Sequence, residues 1–186
     1  MEQDVLDKDL LTENKERQRE YAGFWIRVGA SFIDMVVYLP VIGINMYNLY
    51  FLKSLPLALL ATLVLVVYKP FMEYRYGATL GKMAVKVKVV TGDSDQISIQ
   101  HAVVRNIPGL LGNLLSGLTA VLLFSNADFQ SASTMFEVAA LQNEVMSPVP
   151  NYVISIFYCV SCLAVAFNDK KQGLHDMMAG TYCVKQ

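Results

Sequence analysis

Two charged side chains lie in a stretch of the chain that is otherwise apolar. Arg27 and Asp34 are seven residues apart in segment 23–52, which carries no other formal charge. Seven residues are close to two turns of an α-helix, about 10 Å, so both side chains project from one face. A carboxylate in the hydrocarbon core costs at least about 2.5 kcal/mol, so it must face a polar partner or a wet cavity. The chemistry that this pattern predicts is reversible binding of a proton or a cation at Asp34.

Three further polar side chains, Lys69, Glu73 and Asn113, lie in or beside later apolar runs. If the second run is antiparallel to the first, Lys69 lies about one third of the way into the membrane and is a candidate partner for Asp34. The alternative is that Lys69 extends to the lipid headgroups and pairs with Glu73 one turn on. Asn113 either lines the same polar site or hydrogen-bonds between helices. Together these four residues form a candidate ion or ligand pathway.

Four apolar segments are long enough to cross a bilayer, which takes about 20 helical residues. The composition, 54% hydrophobic with a mean hydropathy of +0.39, exceeds what the core of a soluble domain of this length needs. The predicted fold is therefore an all-α membrane protein, a bundle of four transmembrane helices, within one membrane domain over residues 21–185. The predicted spans are 24–52, 55–75, 106–125 and 149–167.

Segment 77–105 is predicted to form a small β structure outside the bilayer. Valine and lysine residues alternate within 85–90, a turn pattern follows at 91–95, and 97–99 is typical of a returning strand. These features predict a β-hairpin. The tail at 180–184 is predicted as a third short strand, which completes a three-stranded cap.

Two other segments are polar. In the segment 126–148, Thr134 and Glu137 form a capping-box pattern, so we expect a short surface helix that either covers a site or lies at the lipid interface. Residues 1–20 are mixed in charge and are expected to form a solvated tail.

The basic residues predict the orientation. Of the 15 lysine and arginine residues, all but Lys53 precede or enter the first span, lie within 69–105, or follow the fourth span. By the positive-inside rule, both termini and segment 77–105 are expected in the cytoplasm and segment 126–148 on the opposite side.

Composition and motifs argue against several functional classes. A net charge of −1 does not suit a nucleic-acid-binding protein. His101 and His175 lack the spacing of a zinc site, and segment 77–82 lacks the phosphate-loop pattern. His175 beside Asp176 is expected to be a structural cap rather than an acid–base pair, because neighbours in sequence rarely share a working face. We therefore expect no enzymatic activity, no metal and no cofactor.

Several stretches together resemble one known family. Aromatic and small residues precede Arg27, and Ile-Asp follows in mid-helix. The other matching stretches are 77–82 with 86–90, and 172–176 with 179–181. This pattern resembles the RDD family, bacterial multi-pass membrane proteins that are named for one arginine and two aspartates.

The resemblance implies roles for individual residues. Arg27 and Asp34 match the arginine and the first aspartate, and Asp176 matches the second aspartate, with Asp169 as a nearby competitor. It also implies a location in the bacterial cytoplasmic (inner) membrane. Transport of an uncertain ligand is the usual suggestion for the family, with sodium/proton exchange for some members.

Two functions remain open at this point. The first is transport of a small ion or ligand, or cation/proton exchange, with Asp34 as the binding carboxylate. The second is a non-catalytic scaffold or accessory subunit, in which Arg27, Asp34 and Asp176 hold the bundle to its cap. Four helices are few for a stand-alone alternating-access transporter, so a homo-oligomer or a membrane-protein partner is expected in addition to lipid.

Overall fold

The computed structural model describes residues 19–92, 94 and 96–186. Residues 1–18 of the expected tail, and residues 93 and 95 of the expected turn at 91–95, lie outside the described residues. The long helices are α1 (Phe24–Tyr47), α2 (Leu55–Tyr76), α4 (Ile99–Phe124) and α7 (Val149–Phe167). The short elements are a π-helical turn (Asn48–Leu52), α3 (Leu80–Ala84), β1 (Val87–Thr91), α5 (Ala127–Ser131), α6 (Met135–Val145), α8 (Leu174–Met178) and β2 (Thr181–Lys185).

The four long helices form the predicted membrane bundle. Each is long and apolar enough to cross a bilayer, and α1 continues through the π-helical turn to give a span of 29 residues. Large apolar side chains cover the outside of the bundle, including Phe32, which is 68% exposed, and Phe167, which is 88% exposed. Such surfaces are stable against lipid tails but not against water. The structure therefore confirms a multi-pass membrane fold.

The first two spans are joined by a tight turn. The buried amide of Asn48 donates to the carbonyl of Ser54 and accepts from its N–H, both at 2.9 Å. Lys53 adopts the left-handed conformation with φ of 48° and donates through Nζ to three backbone carbonyls in the segment that contains α5. The turn is thus fastened to the loop that connects α4 and α7.

The third span begins earlier than predicted. Helix α4 starts at Ile99 because the Ser98 side chain caps it by accepting a hydrogen bond from the His101 N–H. Arg105 consequently lies almost two turns inside a helix rather than in a connecting segment, and Asn106 is well inside the span rather than at its start. The apolar–polar–apolar pattern at 97–99, which predicts a strand, spans only three residues. A pattern this short fits the start of a helix equally well.

The predicted hairpin and three-stranded cap were wrong in their pairing. Strand β1 pairs with the C-terminal strand β2 in an antiparallel, two-stranded sheet, from Val87 opposite Lys185 to Thr91 opposite Thr181. Tyr21 adds an isolated bridge to Val184. The sheet packs on a buried apolar cluster that includes Val89. We call β1, β2, α3 and α8 the cap; they lie at the end of the bundle where α1 and α4 begin.

Candidate functional site

Asp34 lies in the bundle, where its side chain is bound by the cap and by α2. It is 5% exposed and accepts hydrogen bonds from Thr79 Oγ1 at 2.6 Å, from the Gly81 N–H at 2.8 Å and from the Tyr68 hydroxyl at 3.2 Å. Thr79 is also the N-cap of α3. The carboxylate thus receives one backbone and two side-chain donors. Its main partner is the short helix α3 rather than a cation.

Gly81 permits this contact because α3 and α1 touch at that residue. A Cβ atom on Gly81 would lie 2.8 Å from Cγ of Asp34 and 2.9 Å from its backbone N, closer than real Cβ contacts. Only a residue without a side chain can bring its N–H against the carboxylate in this geometry.

Arg105 is the centre of a buried ion network. It is 3% exposed, and its guanidinium lies 2.8 Å from Asp176 through Nη2 and 3.3 Å from Glu73 through Nε. Nη1 also donates to Thr181 Oγ1 at 3.1 Å. A single side chain on α4 therefore joins α2, α8 and β2. The planar guanidinium suits this role because its donors point in several fixed directions.

Glu73 is bound on several sides. It is 2% exposed, forms an ion pair with Lys82 of α3, and accepts from Asn106 Nδ2 at 2.8 Å. With Arg105, these contacts give the carboxylate three donors from two other elements. Glu73 therefore belongs to the ion network, and it also lines the central cavity described below.

Arg27 and Asp176 form an ion pair, so the structure brings these two predicted signature residues together. Arg27 also donates to the carbonyls of Lys171 and Ala22. The Asp176 carboxylate is fully buried and accepts from the Gly173 N–H at 3.0 Å. Asp169, the competitor for the second aspartate, is exposed in a turn after α7.

The electrostatics of Asp176 follow from these neighbours. Burial alone would raise the pKa of the Asp176 carboxyl, but Arg105, His175 and Arg27 together hold that pKa well below its ordinary value. The group is therefore a permanent anion at neutral pH. It neutralises part of the charge of both arginines.

His175 joins α7 to α8. Its Nδ1 lies 2.6 Å from Ser161 Oγ and its Nε2 lies 3.2 Å from Asp176. Burial lowers the pKa of His175, and the Asp176 carboxylate opposes this only in part, so the ring is neutral at pH 7. These contacts agree with the structural role expected for it.

Lys69 is the remaining basic residue of the bundle interior. Among the residues that the structure describes, it forms no hydrogen bond and no ion pair. The candidate pair with Asp34 and the alternative pair with Glu73 are thus both missing from the described contacts. Lys69 instead lines a cavity.

Two adjacent cavities lie between the helices. The central cavity has a volume of about 440 Å³ and is lined by Arg27, Asp34, Lys69 and Glu73, among others. The second cavity has a volume of about 360 Å³ and is lined by Asn113. Lys69 lines both cavities, together with Asn106 and Tyr158. The structure therefore groups Asp34 with Lys69 and places Asn113 in the adjoining space.

Sequence reasoning missed five residues of this site: Tyr68, Thr79, Lys82, Arg105 and Asn106. Arg105 had a signal, because an arginine that precedes an apolar run can lie inside the helix if the helix starts earlier. The Ser98 cap was the feature that showed this start. Thr79 and Lys82 depend on where α3 docks, which local patterns do not specify.

Within the described residues, no group of three or more His, Cys, Asp or Glu side chains is arranged to hold a metal ion.

The family model of the RDD family matches residues 21–180. The chain belongs to the RDD family. Comparisons with curated proteins and with solved structures gave no match. In this RDD protein the three residues that we predict as the family signature separate into two units: Arg27 and Asp176 form an ion pair at the cap, whereas Asp34 binds α3. Arg27 and Asp34 nevertheless line the same cavity.

Proposed function

We propose that this RDD protein is a transporter in which Asp34 binds a proton or a small cation and the central cavity binds a charged solute. The observation that supports this concerns the wall of one cavity. It carries two opposite charges, Asp34 and Lys69, that have no ion-pair partner among the residues that the structure describes. Asp34 is held by neutral donors, and Lys69 has no described partner. The other lysine, arginine and glutamate side chains of the cavity wall, Arg27, Lys82, Arg105 and Glu73, all form ion pairs.

The depth of these charges suits a transport site. Lys69 is seven residues from the end of α2 at Tyr76, which places it about 10 Å into the span. Asp34 is ten residues after the start of α1 at Phe24, or about 15 Å along that helix. Charges at such depths are costly in a membrane and commonly mark ion or substrate pathways.

Neutral donors leave the charge of Asp34 uncompensated. Its three hydrogen bonds stabilise the carboxylate but carry no full positive charge. In the proposed cycle a proton or a small cation from the cavity supplies that charge. Release of that ion restores the hydrogen-bonded anion. A cycle between these two states is the exchange step that we propose.

The second candidate function is a scaffold or accessory subunit, and the buried ion network favours it. Arg105 joins Glu73 and Asp176, and this network binds three elements of the fold, α2, α4 and α8, together. A scaffold needs such rigidity, whereas it needs no solute in the cavity.

Ion flux separates the two functions. The protein is reconstituted in liposomes that contain a pH-sensitive dye, and a sodium gradient is imposed. We expect proton flux above that of empty liposomes, with at least a tenfold loss in Asp34→Asn, which keeps the size of the side chain. Asp169→Asn is the matched control, because Asp169 is an exposed aspartate outside the cavity. Equal flux in wild type and Asp34→Asn would contradict the proposal.

A further inference from the structure

We infer that Lys69 binds the oxyanion group, a carboxylate or a phosphate, of an amphiphile that enters from the lipid between α1 and α7. The inference rests on the proposed function in one respect. It assumes that the central cavity is the solute site, and it specifies the chemical class of that solute. Asp34 would then bind the coupling ion, and Lys69 the solute.

The charge balance of the cavity favours an anion. Its wall carries four basic side chains against two acidic ones, namely Arg27, Lys69, Lys82 and Arg105 against Asp34 and Glu73. Asp176, which pairs with the two arginines, is the third acidic group of the cluster. One positive charge remains in excess, and His175 adds none because it is neutral. The ion network holds this excess, because Arg27, Lys82 and Arg105 pair with only two carboxylates, Glu73 and Asp176. Lys69 is the basic group of the wall without a described partner, so its ammonium group is the one left to bind an anion.

The position of Lys69 gives an anion a defined place. Lys69, Asn106 and Tyr158 line both cavities, so they form the junction between them. The ammonium group offers three donors, and the Tyr158 hydroxyl can add another. Charge-assisted hydrogen bonds of this kind are about twice as strong as neutral ones. An oxyanion at the junction would satisfy a charge that is otherwise costly inside the membrane.

The remaining wall is suited to an apolar chain. Val28, Phe32 and Met35 of α1 and Val165 of α7 line the central cavity. Phe32 is 68% exposed and Met35 is 56% exposed, so the wall continues onto the lipid-facing surface of α1. The cavity volume, about 440 Å³, lies in the range of sites that hold small organic ligands. Each methylene buried there adds about fourfold in affinity. A free inorganic anion would gain nothing from this wall.

Ligand-induced stabilisation tests the inference without a transport gradient. The thermal unfolding midpoint of the purified protein in a neutral detergent is measured against increasing decanoate, because a ligand that binds the folded state raises the midpoint. Parallel series use inorganic phosphate and a cationic amphiphile, dodecyltrimethylammonium. A final series in nanodiscs compares phosphatidylglycerol with phosphatidylcholine, which distinguishes a phospholipid from a free fatty acid as the source of the oxyanion.

Three variants locate the binding group. Lys69→Gln should weaken binding of decanoate or phosphatidylglycerol by about tenfold or more, the loss expected for a charge-assisted hydrogen bond. Lys69→Arg should retain most of it. Lys86→Gln is the matched control, because Lys86 is an exposed lysine outside both cavities. Each variant is compared with its own ligand-free midpoint, so a change in basal stability does not obscure the result.

Two results would overturn the inference. One is equal stabilisation of Lys69→Gln and Lys86→Gln by both anionic amphiphiles. The other is stabilisation by inorganic phosphate or by the cationic amphiphile that matches that by decanoate. The proposed function can fail independently of this inference. If decanoate binding depends on Lys69 but there is no proton flux, transport is refuted and the anion site stands. If there is proton flux but no Lys69-dependent binding, the anion site is refuted and transport stands.

Discussion

Replacement of Arg105 with glutamine removes the guanidinium that joins Glu73 and Asp176. Both carboxylates are buried, and the ion-pair distances to Arg105 are 3.3 Å and 2.8 Å. Loss of one partner from a buried pair usually costs about 3–5 kcal/mol, since the other charge is left uncompensated. Here Glu73 keeps Lys82 and Asp176 keeps Arg27, so we expect the lower end of this range, about 3 kcal/mol.

Thermal unfolding in detergent, followed by circular dichroism, measures this loss. For a chain of this size about 3 kcal/mol corresponds to a fall of about 6–12 °C in the unfolding midpoint. Arg75→Gln is the matched control, because Arg75 is an exposed arginine at the end of α2, and its effect should stay below about 1 kcal/mol. A difference of 2 °C between two unfolding midpoints corresponds to less than about 1 kcal/mol. If the midpoints of Arg105→Gln and Arg75→Gln differ by less than about 2 °C, the network does not hold the cap to the bundle.

Two further predictions concern the contacts of Asp34 and Asp176. Gly81→Ala should destabilise the protein by about 1–3 kcal/mol or more, because its Cβ would lie 2.0 Å from the carbonyl oxygen of Ala30 and 2.8 Å from Cγ of Asp34. Gly43→Ala, whose Cβ would meet no atom within 4 Å, should be neutral or stabilising in the same unfolding assay. Asp176→Asn should change the pH dependence of stability. Since the folded pKa of Asp176 is lowered, its stabilisation is complete above the ordinary value of 3.8 and is lost as the pH falls through the folded pKa. The variant should therefore be less stable at pH 7 and should show a flatter acid limb; an unchanged acid limb would contradict this.

The membrane fold was predictable because its signal is local. Length and hydropathy of a segment decide whether it can cross a bilayer, and all four predicted spans lie within or overlap such helices. The burial of Asp34 was predictable for a related reason, since a charge in an apolar segment must avoid lipid.

The partners of the charges were not predictable. Lys69 was one candidate partner for Asp34, yet the closest donors of Asp34 are a threonine hydroxyl and the backbone N–H of Gly81. A backbone donor leaves no trace in the pattern of side chains. For Arg105, the sequence pattern predicts only the side of the membrane on which it lies. Its place inside the bundle depends on the helix start at Ser98.

Sequence alone determined the number of spans, their approximate limits and the need for polar surroundings at Asp34, because each depends on the transfer of a short segment from water to lipid. Tertiary structure decided the rest. The pairing of β1 with the C-terminal strand, the docking of α3 on Asp34 and the bridge from Arg105 to Glu73 and Asp176 join residues that are distant in the chain. Such contacts depend on how the helices pack and on which charges find partners in a low-dielectric interior, and no local pattern of residues records that choice.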